Sequence, residues 1–81
     1  MEQIIYVIRI SYYDINDKEI LSGTGFAFTS LDSAKKDMKT RASIGGENFQ
    51  YREINGYPYL DIKDKTGSTT EYVVETYLKI D

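Results

Sequence analysis

Few residues in this chain of 81 are candidates for catalysis or metal binding, because it contains neither histidine nor cysteine. Histidine is the most frequent general base in enzymes, and cysteine and histidine are the usual ligands of zinc. Three short stretches remain in which carboxylates, hydroxyls or glycines are spaced as in known sites. They are residues 64–69, residues 23–25 and residues 14–19.

Asp64 begins the stretch DKTGST. These letters resemble the phosphorylation motif of P-type ATPases, in which the aspartate becomes an aspartyl phosphate. That aspartate lies in a far larger α/β domain than 81 residues can form, and the motif has threonine where this chain has Ser68. A three-residue hairpin loop over residues 65–67, with Gly67 in the left-handed conformation, accounts for the same letters. We therefore interpret the stretch as a turn.

The other two stretches lack residues that their motifs require. The Gly-Thr-Gly sequence at 23–25 has Phe28 where a dinucleotide fingerprint needs its third glycine, and no helix begins at these glycines. We interpret it as a β-bulge or a bend in a strand. The acidic stretch 14–19 fails as a calcium loop, because an EF-hand needs glycine in place of Glu19 and glutamate in place of Gly25. We expect no catalytic residue, no cofactor and no metal ligand.

Composition indicates one small acidic domain spanning residues 1–81. The formal net charge is −3, which argues against a general nucleic-acid or anionic-membrane binder. No apolar run approaches the length of a membrane span, and the start, MEQIIYVIRI, has an acid where a signal peptide has basic residues. We expect a soluble cytoplasmic protein with no membrane contact.

The first 28 residues predict two strands of a hairpin. Apolar residues alternate from Ile4 to Tyr12, which is the period of a strand, and a second apolar run ends at Phe28 after the polar turn 14–18. A register that places Tyr12 opposite Ile20 and Tyr6 opposite Phe26 keeps apolar residues together.

The period then changes to that of a helix over about residues 30–43, with Leu31, Ala34, Met38 and Ala42 on one stripe. Thr29 with Asp32 fits a helix start, and Ser30 is an alternative cap. Gly45-Gly46 predicts the helix end.

The last part predicts a meander of three strands. Asn55-Gly56 separates two strand-like runs and predicts a two-residue turn that places Arg52 opposite Tyr59. The loop at 65–67 then places Leu60 and Ile62 on the face that the first turn had already selected. We also expect the Arg52 guanidinium to stack on the Tyr59 ring.

These elements predict an α+β fold, ββαβββ, with a five-stranded mainly antiparallel sheet in the order 2-1-5-4-3 and one helix on one face. A mixed sheet with strand three beside strand two is the alternative. The helix side is assigned Ile4, Tyr6, Ile8, Ile10, Ile20, Phe26, Phe28, Phe49, Tyr51, Leu60, Ile62, Tyr72, Val74, Leu78 and Ile80. The other side, which includes Leu21, has no predicted cover.

Function is predicted from that uncovered face. We hypothesise a non-catalytic interaction protein that binds a protein partner, or a second copy of itself, because aromatic residues rimmed by charge are typical of interfaces. Its size and charge are like those of small phage or mobile-element inhibitors and adaptors. A single-strand nucleic-acid binder that stacks bases on tyrosines is the alternative, and an enzyme with a carboxylate-only site ranks below both. The predicted interaction residues are Tyr57, Tyr59, Val73, Tyr77, Arg52, Asp61, Glu71 and Glu75.

Overall fold

The computed structural model describes residues 2–45 and 48–80, and these ranges contain five strands and one helix in the order ββαβββ. All neighbouring strands are antiparallel, and their order across the sheet is β2-β1-β5-β4-β3. The predicted fold class and strand order are confirmed. The elements are β1 (Glu2–Tyr13), β2 (Glu19–Phe28), α1 (Leu31–Gly45), β3 (Asn48–Ile54), β4 (Tyr57–Lys63) and β5 (Thr69–Ile80).

The turns of the meander fix its register as predicted. Asn55 and Gly56 have φ angles of 53° and 82°, as a two-residue turn between twisted strands requires, and Arg52 lies opposite Tyr59. Gly67 has a φ angle of 91°, and Leu60 lies opposite Tyr72 on the next pair of strands. Because both turns select the same face for Leu60, the meander has one self-consistent register.

The β1–β2 and β4–β5 loops are built alike. In the first, the backbone N–H of Asp14 donates to the Lys18 carbonyl at 2.9 Å, and in the second that of Asp64 donates to the Ser68 carbonyl at 2.9 Å. In each loop the aspartate Oδ1 also accepts two backbone N–H groups, at distances between 2.9 and 3.1 Å. The left-handed position is held by Gly67 in one loop and by Asp17, with a φ angle of 60°, in the other.

The predicted β1–β2 register is wrong beyond the loop. Tyr13 lies opposite Glu19 as predicted, but Tyr12 lies opposite Leu21 rather than Ile20, and Tyr6 lies opposite Phe28 rather than Phe26. The register shifts twice because β2 contains two bulges, each of which inserts one extra residue.

The second bulge contains Gly25. A Cβ there would lie 2.9 Å from Cδ1 of Ile10 and 3.4 Å from the Ile8 carbonyl oxygen, so the close approach of β1 requires a glycine. The interpretation of residues 23–25 as a bulge is confirmed for Gly25, whereas Gly23 and Thr24 pair regularly with β1. The bulges also move Leu21, which we expected on the uncovered side, to the side of Tyr12 and the helix.

The helix begins after Ser30, not after Thr29. The Ser30 hydroxyl oxygen accepts the backbone N–H of Ser33 at 3.1 Å, which is the contact that defines an N-cap. The helix ends at Gly45, and Gly46, the second residue of the predicted stop, lies outside the described residues.

The core lies between α1 and the middle of the sheet. Ile8, Met38 and Leu60 are fully buried, and Ala34 and Ala42 let the helix approach the strands closely. A helix of 15 residues is about 22 Å long, whereas a strand of 12 residues spans about 40 Å. The helix therefore leaves the ends and edges of the sheet uncovered.

Several residues assigned to the helix side are consequently half exposed rather than buried. We expected all of them to pack under the helix, but the short helix covers them at most in part. These residues are Ile4, Ile20, Phe26, Phe49 and Leu78; the side chain of Ile80 lies outside the description. Within the described ranges, no helix is long and apolar enough to cross a membrane.

Candidate functional site: the open sheet face

The face of the sheet opposite α1 carries side chains from every strand, and we call it the open face. Cross-strand pairing traces its central row from Thr24 on β2 through Arg9, Val73 and Tyr59 to Arg52 on β3. Since α1 packs on the other side, no helix in the described part of the chain covers this row.

The structure places all of the predicted interaction residues on strands β3, β4 and β5. Tyr59 lies directly opposite Val73, and Asp61 lies directly opposite Glu71. Tyr57 is two residues from Tyr59 along β4, so its side chain projects from the same face. Toward the far end of β5, Glu75 is level with Tyr57, and Tyr77 extends the face beyond the start of β4; the Tyr77 hydroxyl donates a hydrogen bond to Glu75.

Arg9 is the centre of a network of hydrogen bonds that joins side chains on three strands of the open face. Its Nη1 lies 3.2 Å from Oε1 of Glu75, and its Nε donates to the Ser22 hydroxyl at 3.1 Å. The Tyr77 hydroxyl donates to the other carboxylate oxygen of Glu75 at 2.8 Å. These hydrogen bonds, first that from Tyr77 and then that from Arg9, lower the pKa of Glu75. Glu75 is therefore ionised at neutral pH.

The expected stacking of Arg52 on Tyr59 is not found. The two residues are cross-strand partners as predicted, but Nη2 of Arg52 lies 3.5 Å from Oδ2 of Asp61. The Arg52 guanidinium can form an ion pair with its diagonal neighbour Asp61 or stack on the ring of its direct neighbour Tyr59, and these two contacts compete. Here the carboxylate prevails, and the Tyr59 ring keeps its outer surface free of a cation from Arg52.

Asp61 and Glu71 place two carboxylates side by side, and Arg52 pairs with only one of them. Burial, and after it the neighbouring Asp61 charge, raises the pKa of Glu71. A shallow groove of about 610 Å³ lies over this pair at the end of the sheet where the two similar loops lie. Its charged lining residues are three acids, Asp17, Asp61 and Glu71, and one base, Lys63.

Arg9, Ser22 and Thr24 belong to this face but were not predicted as site residues. The position of Arg9 in the sequence gave no indication that its side chain joins Glu75 to Ser22 on β2. Ser22 and Thr24 were missed because the predicted β1–β2 register lacked the two bulges. The glycines at 23 and 25 indicated a bulge and could have led to both residues.

The stretches that suggested chemistry form two loops and part of a bulged strand in this fold. Asp64 accepts the Thr66 hydroxyl at 2.6 Å and the backbone N–H groups of Thr66 and Ser68, which is the pattern of an aspartate that closes its own loop. Those hydrogen bonds, that of the Thr66 hydroxyl above all, lower its pKa. Among the described residues, no group of three or more acidic side chains is arranged to hold a metal ion.

Comparison of the chain with models of protein families, with curated proteins and with solved structures finds no match. The function is therefore inferred from the geometry of the open face.

Proposed function

We propose that this chain is a non-catalytic interaction protein that binds a protein partner through the open face. The observation that carries the proposal is the contact between Tyr59 and Val73 at the centre of an uncovered sheet, with an ion pair on each side. Apolar and aromatic side chains surrounded by paired charges are the usual composition of a protein interface.

The arrangement of charge lowers the cost of binding. Arg9 and Arg52 are each already held by a carboxylate, so their side chains lose little further freedom when a partner covers them. Tyr57, Tyr59 and Tyr77 add large contact area with few rotatable bonds, which is why tyrosine is frequent at the centres of binding sites. The open face therefore combines an ordered polar rim with rigid aromatic contacts.

Single-stranded nucleic acid is the weaker candidate partner. The tyrosines supply rings on which bases could stack, and this is the feature that favours it. Asp61 and Glu71, however, form an acidic pair beside Tyr59, and each phosphate brought near them adds repulsion. A protein surface that carries lysine or arginine beside apolar residues complements the same pair. We propose a role as an inhibitor or adaptor, of the kind encoded by phages and mobile elements, on size and charge alone.

The proposal is tested by affinity capture from an extract of the cells that encode the chain, with identification by mass spectrometry. Wild type and Tyr59→Lys are immobilised in parallel, together with Ile44→Lys as a control, since Ile44 is 80% exposed and lies on the helix. We expect one or a few proteins to be retained by wild type and by Ile44→Lys but not by Tyr59→Lys. Equal capture by all three contradicts the proposal, and capture that depends on single-stranded nucleic acid supports the alternative.

A further inference from the structure

The outer edge of β2 differs from the other edge of the sheet. No charged residue occurs between Ile20 and Phe28, and there is no proline, whereas the edge strand β3 contains Arg52 and Glu53. Large apolar side chains on β2 are also exposed: Ile20 by 54%, Leu21 by 68% and Phe26 by 56%. Natural sheets commonly protect their edges with charge, proline or bulges, and of these three β2 has only its two bulges between Ile20 and Phe28.

The direction of the backbone groups along β2 follows from its pairing with β1. The hydrogen bond from Asp14 to Lys18 shows that even-numbered residues of β1 direct their N–H and C=O groups toward β2. β1 pairs with β5 without any register shift, so this alternation continues along the strand. The β2 residues opposite odd-numbered β1 residues therefore direct their backbone groups outward. They are Glu19, Ser22, Thr24 and Ala27.

These outward positions are symmetric about Gly23. Ser22 and Thr24 lie one residue before and after it, and Glu19 and Ala27 lie four residues before and after it. The symmetry arises because the two bulges are at equal distances from Gly23 and each inserts one residue. A strand with this pattern is self-complementary: when a second copy runs antiparallel to it, the outward backbone groups of the two strands face each other. Self-complementarity is the requirement for a two-fold dimer.

We propose that β2 pairs with β2 of a second copy of this chain, antiparallel and with the two-fold axis at Gly23. Ser22 then lies opposite Thr24 of the second copy, and Glu19 lies opposite Ala27, so that every outward backbone group on this edge meets a complementary one. Two hydroxyl residues directly opposite each other are a favourable cross-strand pair. No like charges face each other in this register.

The side chains are self-complementary in the same register. Ile20 lies opposite Phe26 of the second copy, and Leu21 lies opposite Gly25, so a bulky residue meets either another apolar residue or a glycine that leaves room for it. The Phe26 ring is already ordered by the Arg41 guanidinium, which lies 4.5 Å from its centroid. The exposed apolar residues of this edge thus become mutually covered.

The dimer has one continuous sheet of ten strands with both helices on one side, because directly opposite residues in antiparallel strands share a face. Both open faces then lie on the other side. The pairing uses the edge of the sheet rather than the open face, so it does not depend on the proposed binding function.

Sedimentation velocity over a wide range of concentration tests the pairing. We expect wild type to dimerise, and Leu21→Lys, which puts an ammonium group into the apolar contact, to raise the dimer dissociation constant by about tenfold or more. Phe49→Lys is the matched control, since Phe49 is 50% exposed on the same side of the opposite edge strand. It should change the constant by less than about twofold.

Hydrogen exchange locates the contact independently of any substitution. The amides of Ser22 and Thr24 should exchange more slowly as the concentration rises, while the amide of Glu53, which points outward from β3, should not change. A monomer at every concentration contradicts the proposal. A dimer that is equally weakened by Phe49→Lys, or that does not protect Thr24, also contradicts it.

Discussion

Asp61 and Glu71 lie directly opposite each other on β4 and β5, and the Arg52 guanidinium pairs with Asp61 at 3.5 Å. Arg52 thus pairs with one of two neighbouring carboxylates, near the end of the sheet where the two similar loops lie. Like charges opposite each other destabilise a sheet, so the pair is unfavourable for folding unless a partner supplies positive charge. Its presence beside Tyr59 is the electrostatic feature that favours a basic partner.

Glu71→Gln should stabilise the free protein at neutral pH. The pKa of Glu71 is raised above its ordinary value of 4.5 by burial and by Asp61, so the folded state binds the proton more tightly than the unfolded state. The free energy of unfolding of the wild type therefore falls as the pH rises through the folded-state pKa of Glu71. A glutamine at position 71 does not titrate and so removes that loss of stability. We expect a gain of less than about 1 kcal/mol, because the site is partly solvated.

Thermal melts as a function of pH provide the measurement for Glu71→Gln. The gain should disappear well below pH 4.5, where the wild-type carboxyl is protonated in both states. Glu53→Gln is the opposite control, since the Tyr51 and Lys35 contacts lower the pKa of Glu53 and so stabilise the fold at neutral pH. A wild type that is more stable than Glu71→Gln at neutral pH would show that the two carboxylates do not repel each other.

Gly67→Ala should destabilise the protein by about 1 kcal/mol, because Gly67 has a φ angle of 91° that disfavours a Cβ. The new methyl group would also lie 3.4 Å from Cγ2 of Ile15 in the neighbouring loop. For a domain of this size the melting temperature should fall by about 4–8 °C. An unchanged melting temperature would contradict the assigned loop conformation.

Asp17→Gly should be neutral or stabilising, by at most about 1 kcal/mol. Asp17 occupies the position that Gly67 holds in the similar loop, with a φ angle of 60°. Glycine relieves the strain of the left-handed conformation, although the greater freedom of the unfolded chain offsets part of the gain. Chemical denaturation of both variants side by side checks the contrast, and a clear loss of stability in Asp17→Gly would refute the equivalence of the two loops.

Asp64→Asn should fold almost like wild type, whereas Asp64→Ala should be less stable. Asparagine keeps the side-chain oxygen that accepts the N–H groups of Thr66 and Ser68, and alanine removes it. Because the pKa of Asp64 is lowered, the ionised carboxylate stabilises the folded state above pH 3.8, the ordinary pKa of aspartate. This stabilisation is lost as the pH falls through the folded-state pKa. Incubation with ATP should leave no hydroxylamine-sensitive phosphate on the wild type, and its detection would contradict a purely structural role.

The register of the three-stranded meander could be predicted because the residues in its turns determine the turn types. Asn55-Gly56 and Gly67 each select one turn type, and each turn type sets one register. The β1–β2 hairpin could not be predicted in the same way. Its loop sets the register only as far as Tyr13 and Glu19, after which the extra residues at Ile20 and Gly25 shift the pairing.

The open face could be predicted as a set of residues, but not its contacts. Strand alternation places Tyr59 and Asp61 on one side of β4, and the register set by the Asn55-Gly56 turn adds Arg52 to that side. Whether Arg52 contacts Tyr59 or Asp61 depends on side-chain directions that alternation leaves undetermined, and the structure selects Asp61. The extent of helix coverage also depends on three-dimensional lengths, which is why Ile4 and Leu78 were wrongly expected to be buried.

The central claim, that the open face binds a protein, is tested most directly by titration calorimetry with a captured partner. Wild type, Tyr59→Lys and Ile44→Lys are compared at equal folded concentration, after thermal melts have shown that each substitution costs less than about 1 kcal/mol. We expect Ile44→Lys to bind like wild type and Tyr59→Lys to bind at least about tenfold more weakly, because a lysine buried without a partner is costly. Equal affinity of all three proteins for the partner would contradict the claim.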